Sequence, residues 1–405
     1  MSLVFARRSV RQSYTPTSRV LSMMLDYRGM TNDAIRIGLA NNACSLKKLS
    51  KLCYKELKGY KIPALYKLCA ISKAAGILAS RKKSIMRGYQ SKDPRLKKPM
   101  LVSYRGFKIM NGRLRVTVSE GEYEYVDLNS HTIRMLKLDE KAQVKSFTIT
   151  ERFLSLCLTK EVSFRSEIQG AIGVDRNLRN VAVGNQSFVT FYDTRKILHI
   201  GETCQKIVGS VKRNDDRIRR IISSKYGWRR KERIGSILNN ISKHVVRVAK
   251  GDLLAIVFED IRYIRSLYQK RNHRGKYYRR QMNNHWPFNE IKKQIEYKAQ
   301  WEGIPVIHLT KKETRGTSKE CVRCGERLQS AFWSDVEHKR QLWCERCEKW
   351  LDRDLVAVMN ISRRGWLRFG QSKGIGSEAM VQEREGTELE PLILKVDPMK
   401  LTQKR

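Results

Sequence analysis

Four thiols and three carboxylates carry the chemistry open to this sequence. Two residues lie between Cys321 and Cys324 and two between Cys344 and Cys347, and residues 325–343 separate the pairs. Two close thiol pairs on tight turns can present four sulfurs at tetrahedral corners, which is the donor set of a structural zinc. Gly325 follows the first pair and suits a knuckle that needs positive φ. A site closed by four thiolates leaves no position for substrate, so the expected role is one structural Zn²⁺. The competing readings are redox Cys-x2-Cys motifs, which usually come singly on a βαβ unit, and disulfides of an exported domain.

The carboxylates are Asp175, which ends the apolar run AIGVD, Glu259, which ends AIVFE, and Asp354, which opens an apolar, helix-like run. Singly, each reads as a helix cap or an ion-pair partner. Together at the rim of one sheet they would repel and favour protonation unless cations neutralised them. Hard divalent ions with oxygen ligands, Mg²⁺ above all, do this. Two such ions about 3.5–4 Å apart would activate water and stabilise the leaving oxygen of a phosphodiester, as in a ribonuclease-H-like nuclease. Asp352 lies close enough to Asp354 to compete for the third place.

The elements that must position these groups follow from pattern. Residues 1–17 read as a short strand. Residues 18–98 carry apolar residues at helical spacing with lysines on the other faces, a basic helical lobe. At 99–165 the period changes to two, and Asn111-Gly112 supplies a type I′ hairpin turn, so an antiparallel β-domain, expected as a small barrel, takes back the N-terminal strand. Residues 166–316 alternate strands and helices and form an α/β domain. The cysteine ribbon, 317–350, interrupts it, and a helix over 351–369 closes it. Residues 370–405 are polar and Gly-containing and read as a disordered tail.

Composition restricts the partners. The chain has 405 residues, with 82 Lys+Arg against 40 Asp+Glu and a net charge of +42. No enzyme of small metabolites needs that excess; a polyanion does, and nucleic acid is the first choice. Residues 262–285 interleave Arg and Lys with Tyr, a mixture suited to phosphate contact and base stacking. No long apolar span or lipidation signal argues for a membrane. The five remaining cysteines, scattered without pairing logic, fit a reducing cytoplasm.

The motifs GVDRNLRNVAVGN, VFED, TSKECVRCG…CERC and DRDLVAVMNIS, ordered along residues 171–362, resemble those of the transposon-associated TnpB proteins, relatives of compact type V CRISPR effectors. The resemblance implies a multidomain chain: a wedge β-barrel interrupted by a helical recognition lobe, then an RNase H-like (RuvC) nuclease domain with an inserted zinc ribbon. It implies an RNA-guided DNA endonuclease with Asp175, Glu259 and Asp354 as catalytic residues holding two Mg²⁺. Cys321, Cys324, Cys344 and Cys347 would be the zinc ligands. Guide RNA and target double-stranded DNA would be the partners of a monomer in a prokaryotic cytoplasm, at the nucleoid when bound to DNA. The pattern departs from the family in one respect. The third motif usually runs D-x-N-A-A, whereas Val356 stands where the Asn would, so the hydrogen bond to the site is either absent, with activity reduced, or supplied by Asn360. Motif position favours Asp354 over Asp352.

Three rivals remain on sequence grounds. A non-cleaving RNA-guided repressor would be signalled by loss of an acid, and all three are present. A DNA-strand transferase could use the same acids, although the ribbon just before the third argues against it. A zinc-ribbon DNA-binding protein without activity leaves the strand-end acids unexplained.

Overall fold

The computed structural model describes residues 4–165, 167–211, 215–261, 286–331, 337, 340–372 and 391–402. The basic, tyrosine-rich stretch 262–285 therefore lies outside the described residues. The chain divides into two compact units, Phe5–Glu161 and a second built from Val162 onward with the first residues of the chain.

In the first unit β1 (Val4–Ser13) is followed by helices α1 (Ser18–Ala40), α2 (Leu46–Cys53) and α3 (Ala64–Met86). Buried Met23, Tyr27, Met30 and Ala34 recur along one stripe of α1 at the helical period. Strands β2 (Met100–Ser103), β3 (Phe107–Met110), β4 (Arg113–Ser119) and β5 (Glu122–Asp127) come next, then α4 (Ser130–Lys137), β6 (Gln143–Thr150) and β7 (Phe153–Val162). Asn111 and Gly112 both have positive φ, +49° and +71°, and turn β3 into β4. β1 pairs with β7 in a four-stranded sheet of order β1-β7-β6-β2, so α1, α2 and α3 interrupt that sheet in sequence. β3, β4 and β5 form a separate three-stranded sheet. A ladder closing the two into one barrel is not among the described pairings.

The second unit is built on a six-stranded sheet. β8 (Gly170–Arg176), β9 (Asn180–Gly184) and β10 (Phe188–Asp193) make an antiparallel meander. After α5 (Arg195–Ser210) and α6 (Asp216–Gly251), β11 (Leu254–Phe258) returns parallel to β8. α7 (Phe288–Trp301) leads to β12 (Val306–His308), parallel to β11. The ribbon strands β13 (Gln329–Ser330), β14 (Gln341–Cys344) and β15 (Lys349–Asp352) precede α8 (Arg353–Ser372). The sheet order is β12-β11-β8-β9-β10-β16. Its last member, β16 (Leu392–Val396), corrects an expectation: part of the 370–405 tail is a strand, paired parallel with β10. Its run LILKV is apolar at every position but Lys395 and carries β-branched Ile393 and Val396, and composition averaged over the tail hides it. Residues 373–390 lie outside the described residues.

Both faces of this sheet are covered, which explains why β11 reads as an unbroken apolar run. Ile172 and Val174 of β8 and Ile256 and Phe258 of β11 pack with Ile237, Leu238, Ile241 and Val245 of α6 and Ile291 and Ile295 of α7. The alternate residues Ala171, Ala255 and Val257 pack with Ile361 of α8. Two glycines allow that second helix to come close. A Cβ on Gly173 would collide with the Val358 carbonyl, and one on Gly365 with the Val257 side chain.

Candidate active site

Strand geometry alone brings two acids together. Side chains along a strand alternate between faces, so Ala171, Gly173 and Asp175 of β8 share the face that meets α8. On β11 the same face is taken by Ala255, Val257 and, one residue past the strand, Glu259. The parallel register pairs Val174 with Phe258; continued by one residue, it sets Glu259 beside Asp175. The third acid arrives from the other direction. Asp354 is the second residue of α8, buried, at the end of a helix that packs on β8 and β11.

Polar side chains link these acids. Asn177 donates from Nδ2 to Asp175 Oδ2 at 2.7 Å and to Asn180 Oδ1 at 3.2 Å. Asn180 in turn donates to Asp354 Oδ2 at 3.2 Å, so a chain of amides runs from the first acid to the third. Arg340, at the start of the hairpin that leads into α8, pairs with the same Asp354 oxygen at 2.6 Å. On the opposite face of the sheet, buried Arg176 donates to the backbone carbonyls of Glu259 (3.1 Å) and Phe288 (3.2 Å) and lies over the Phe258 ring. It ties down the chain where β11 ends, and with it Glu259.

The electrostatics follow from crowding. Burial, then the negative charges of Glu259 and Asp354, push the Asp175 carboxyl well above its ordinary range, against the Asn177 hydrogen bond and Arg176. Burial also raises Glu259, with Arg176 opposing. The carboxylates feel one another, yet they do not gather into a closed cluster. Among the described residues the four cysteines alone form a group of three or more donors within 4.8 Å. The three acids are hard oxygen donors with excess negative charge, a set that fits divalent cations of the Mg²⁺ type.

Asp352 does something else. Its Oδ1 accepts from the backbone N–H of Asp354 (2.8 Å) and Leu355 (3.1 Å), capping α8. Asn360 is also committed elsewhere, which corrects the expectation that it could serve Asp354. Its amide donates to the carbonyls of Thr317 (2.9 Å) and Glu320 (2.8 Å) and so holds the chain entering the ribbon against α8. Val356 is buried in an apolar cluster with Val358, Leu342 and Cys344. The amides that do reach the acids, Asn177 and Asn180, sit in what sequence reads as a plain turn between strands. Arg340 carries no signal at all.

The cysteines are compact. Cys321 and Cys347 sulfurs are 3.9 Å apart, Cys324 and Cys344 sulfurs 3.5 Å, and all four lie within 4.8 Å of one another. Four sulfurs each about 2.3 Å from a central zinc would be separated by about 3.8 Å. Gly325 has φ +77°, the knuckle conformation. Burial and then the neighbouring thiols hold the Cys344 thiol above its ordinary range, whereas at Cys324, against burial, hydrogen bonds bring the thiol below it.

Comparison with known proteins adds to this geometry. Residues 288–361, which span α7, the ribbon and the first half of α8, match the family model "Cas12f1-like, TNB domain". A TnpB-like protein of Methanocaldococcus jannaschii is 29% identical over 227 residues, covering 54% of this chain and 74% of that protein. Over those residues the chain is similar to a TnpB-like protein. A solved Cas12f1–sgRNA–target DNA complex is similar over 88% of this chain and 98% of its own, with 13% identity and a TM-score of 0.36, too distant to fix the arrangement of elements. Among the described residues no helix is long and apolar enough to cross a membrane.

Proposed function

We propose that this chain is an RNA-guided DNA endonuclease that hydrolyses phosphodiesters of target DNA beside a short adjacent motif. Asp175, Glu259 and Asp354 would be its catalytic residues and would hold two Mg²⁺. Cys321, Cys324, Cys344 and Cys347 would hold one structural Zn²⁺. The observation that carries this reading is the convergence of Asp175 and Glu259 on one face of adjacent parallel strands, with Asp354 delivered onto the same face by α8.

An RNase H-like (RuvC) domain over 166–316 and 351–369 is supported by the meander β8–β10, extended by two parallel strands, with the first acid on its central strand. Residues 317–350 would be the target-binding insert. In the first unit, 1–17 and 99–165 would be the wedge and 18–98 the recognition lobe, and the protein would act as a monomer in the cytoplasm. Guide RNA and target would be held through their backbones by the basic surface, with sequence read by base pairing.

Bound at the acids, a metal pair supplies an activated water and a stabilised leaving oxygen. The chain's own contribution is to place the acids before substrate arrives. β8 and β11 fix the spacing of Asp175 and Glu259, and Arg176 anchors the backbone of the second. Asn177 and Asn180 orient one oxygen each of Asp175 and Asp354.

The test is to purify the protein, sequence the RNA that accompanies it, and use that RNA to direct cleavage of a matched plasmid. Guide-dependent cutting that needs Mg²⁺ is expected. A protein that carries no discrete RNA, or cuts without regard to it, would overturn the proposal.

A further inference from the structure

The far edge of the six-stranded sheet is closed by the last described segment of the chain. β16 pairs with β10 in the parallel sense over five residues, from Phe188 with Leu392 to Tyr192 with Val396. The Leu392 N–H donates to the Ser187 carbonyl. Backbone groups along a strand turn to alternate sides, so Leu394 and Val396 are the next to direct theirs at β10. Side chains add little to this seating. Leu392, Ile393 and Leu394 are 63%, 48% and 43% exposed, and Lys395 is exposed as well. The anchors lie at the end of the segment, where Val396 and Leu401 pack on the core of the sheet and Asn240 of α6 holds the carbonyl of buried Pro398 at 3.2 Å.

An interior strand is held from both sides and on both faces. Among the described residues β16 has one neighbour, and its apolar side chains are exposed along most of its length. A strand kept by its backbone ladder and one anchored end opens locally for much less than the cost of unfolding the sheet. What it covers is better fixed. β10 buries Val189, Thr190 and Tyr192, and Tyr192 Oη shares a 2.7 Å hydrogen bond with His244 Nδ1 of α6. Opening of β16 therefore leaves an ordered strand with a free edge, which is a template for another strand.

We propose that the outer edge of β10 is a strand-accepting surface, and that residues 391–402 are its resident, releasable occupant. The partner it fits is an extended, mostly apolar peptide, added in the parallel sense through backbone hydrogen bonds. The surface lies one strand away from the candidate active site. Tyr192 pairs with Val396 on one side and with Val181 on the other, and Val181 follows Asn180, whose amide reaches Asp354. A strand exchanged at this edge thus bears on the support of the third acid. The proposal stands apart from the nuclease reading, since it concerns the sheet and its last strand alone.

The experiment compares full-length wild type with full-length Leu394→Pro, using hydrogen exchange and a fluorescent peptide of the sequence 391–402. Proline at 394 removes a ladder N–H from a largely exposed position, so it unseats β16 with little loss of packing. Exchange across 188–193 is expected to be faster in the variant, with β8 and β11 unchanged, and added peptide is expected to restore the protection. The peptide should bind the variant about a hundredfold or more tighter than wild type, where the tethered β16 competes for the same edge. A peptide carrying the same proline should bind neither protein. Unchanged protection at 188–193 in the variant, an opened edge that takes no peptide, or equal affinity for the two proteins overturns the proposal. Loss of protection in β8 and β11 together with β10 also overturns it, because β16 would then be part of the fold rather than an occupant of its edge.

Discussion

Cys321, Cys324, Cys344 and Cys347 come from one short stretch of chain and close on a single point, every sulfur within 4.8 Å of the others. Asp175, Glu259 and Asp354 come from two strands and a helix spread over nearly half the chain, and stay further apart. The ribbon needs little more than two turns and a hairpin, whereas the acids need a whole sheet with α8 pressed on it. Thiols of the ribbon face one another, at a spacing that suits four ligands of one ion. The acids are spaced by Asn177, Asn180 and Arg340, which hold their oxygens without closing the site. A closed set suits support; an open set at a sheet rim suits a reacting group. The same contrast governs how each should fail.

The largest effect is expected at the ribbon. Cys344→Ser removes a buried thiol from the closed set, and the zinc proposed there should be lost together with about 5 kcal/mol or more of ribbon stability. Metal analysis alongside thermal melting checks this; a variant that keeps one zinc and an unchanged melting curve contradicts it. Next comes the anchor beneath the acids. Arg176→Met strips the carbonyls of Glu259 and Phe288 of their donor, at a cost of about 2–3 kcal/mol. Denaturant titration measures the loss, and no change would mean the two carbonyls find another partner. Smallest is Asp352→Ala, which deletes the α8 cap for about 1 kcal/mol. It should leave the cleavage rate within a few-fold of wild type, because Asp352 serves backbone N–H groups. Loss of cleavage in this variant would move the third acid by two residues.

Local chemistry is legible in sequence and long-range geometry only in part. The cysteine spacing announces the ribbon because its ligands are near neighbours. The apolar runs ending in Asp175 and Glu259 announce strand ends, since a carboxylate closing a buried strand needs a reason. No spacing tells that Asn180 bonds Asp354 across 174 positions, or that Gly173 and Gly365 let α8 approach. Val356 shows where motif logic stops. In sequence the missing amide reads as a gap for Asn360 to fill, yet the fold buries Val356 among apolar neighbours and draws its amides from β9 and the turn before it. The late strand β16 is hidden for a different reason: a five-residue, mostly apolar run inside a polar tail is outweighed when composition is averaged.

If the acids exist for chemistry and the cysteines for fold, Asp175→Ala should separate the two most cleanly. Plasmid cleavage, guide-directed target binding and melting temperature would be measured on one preparation with Mg²⁺. Deleting a crowded, buried carboxylate relieves repulsion, so melting should stay level or rise. Target binding should persist, and cleavage should fall about a thousandfold or more. Cleavage at the wild-type rate, or loss of binding and fold together, would contradict that division of labour.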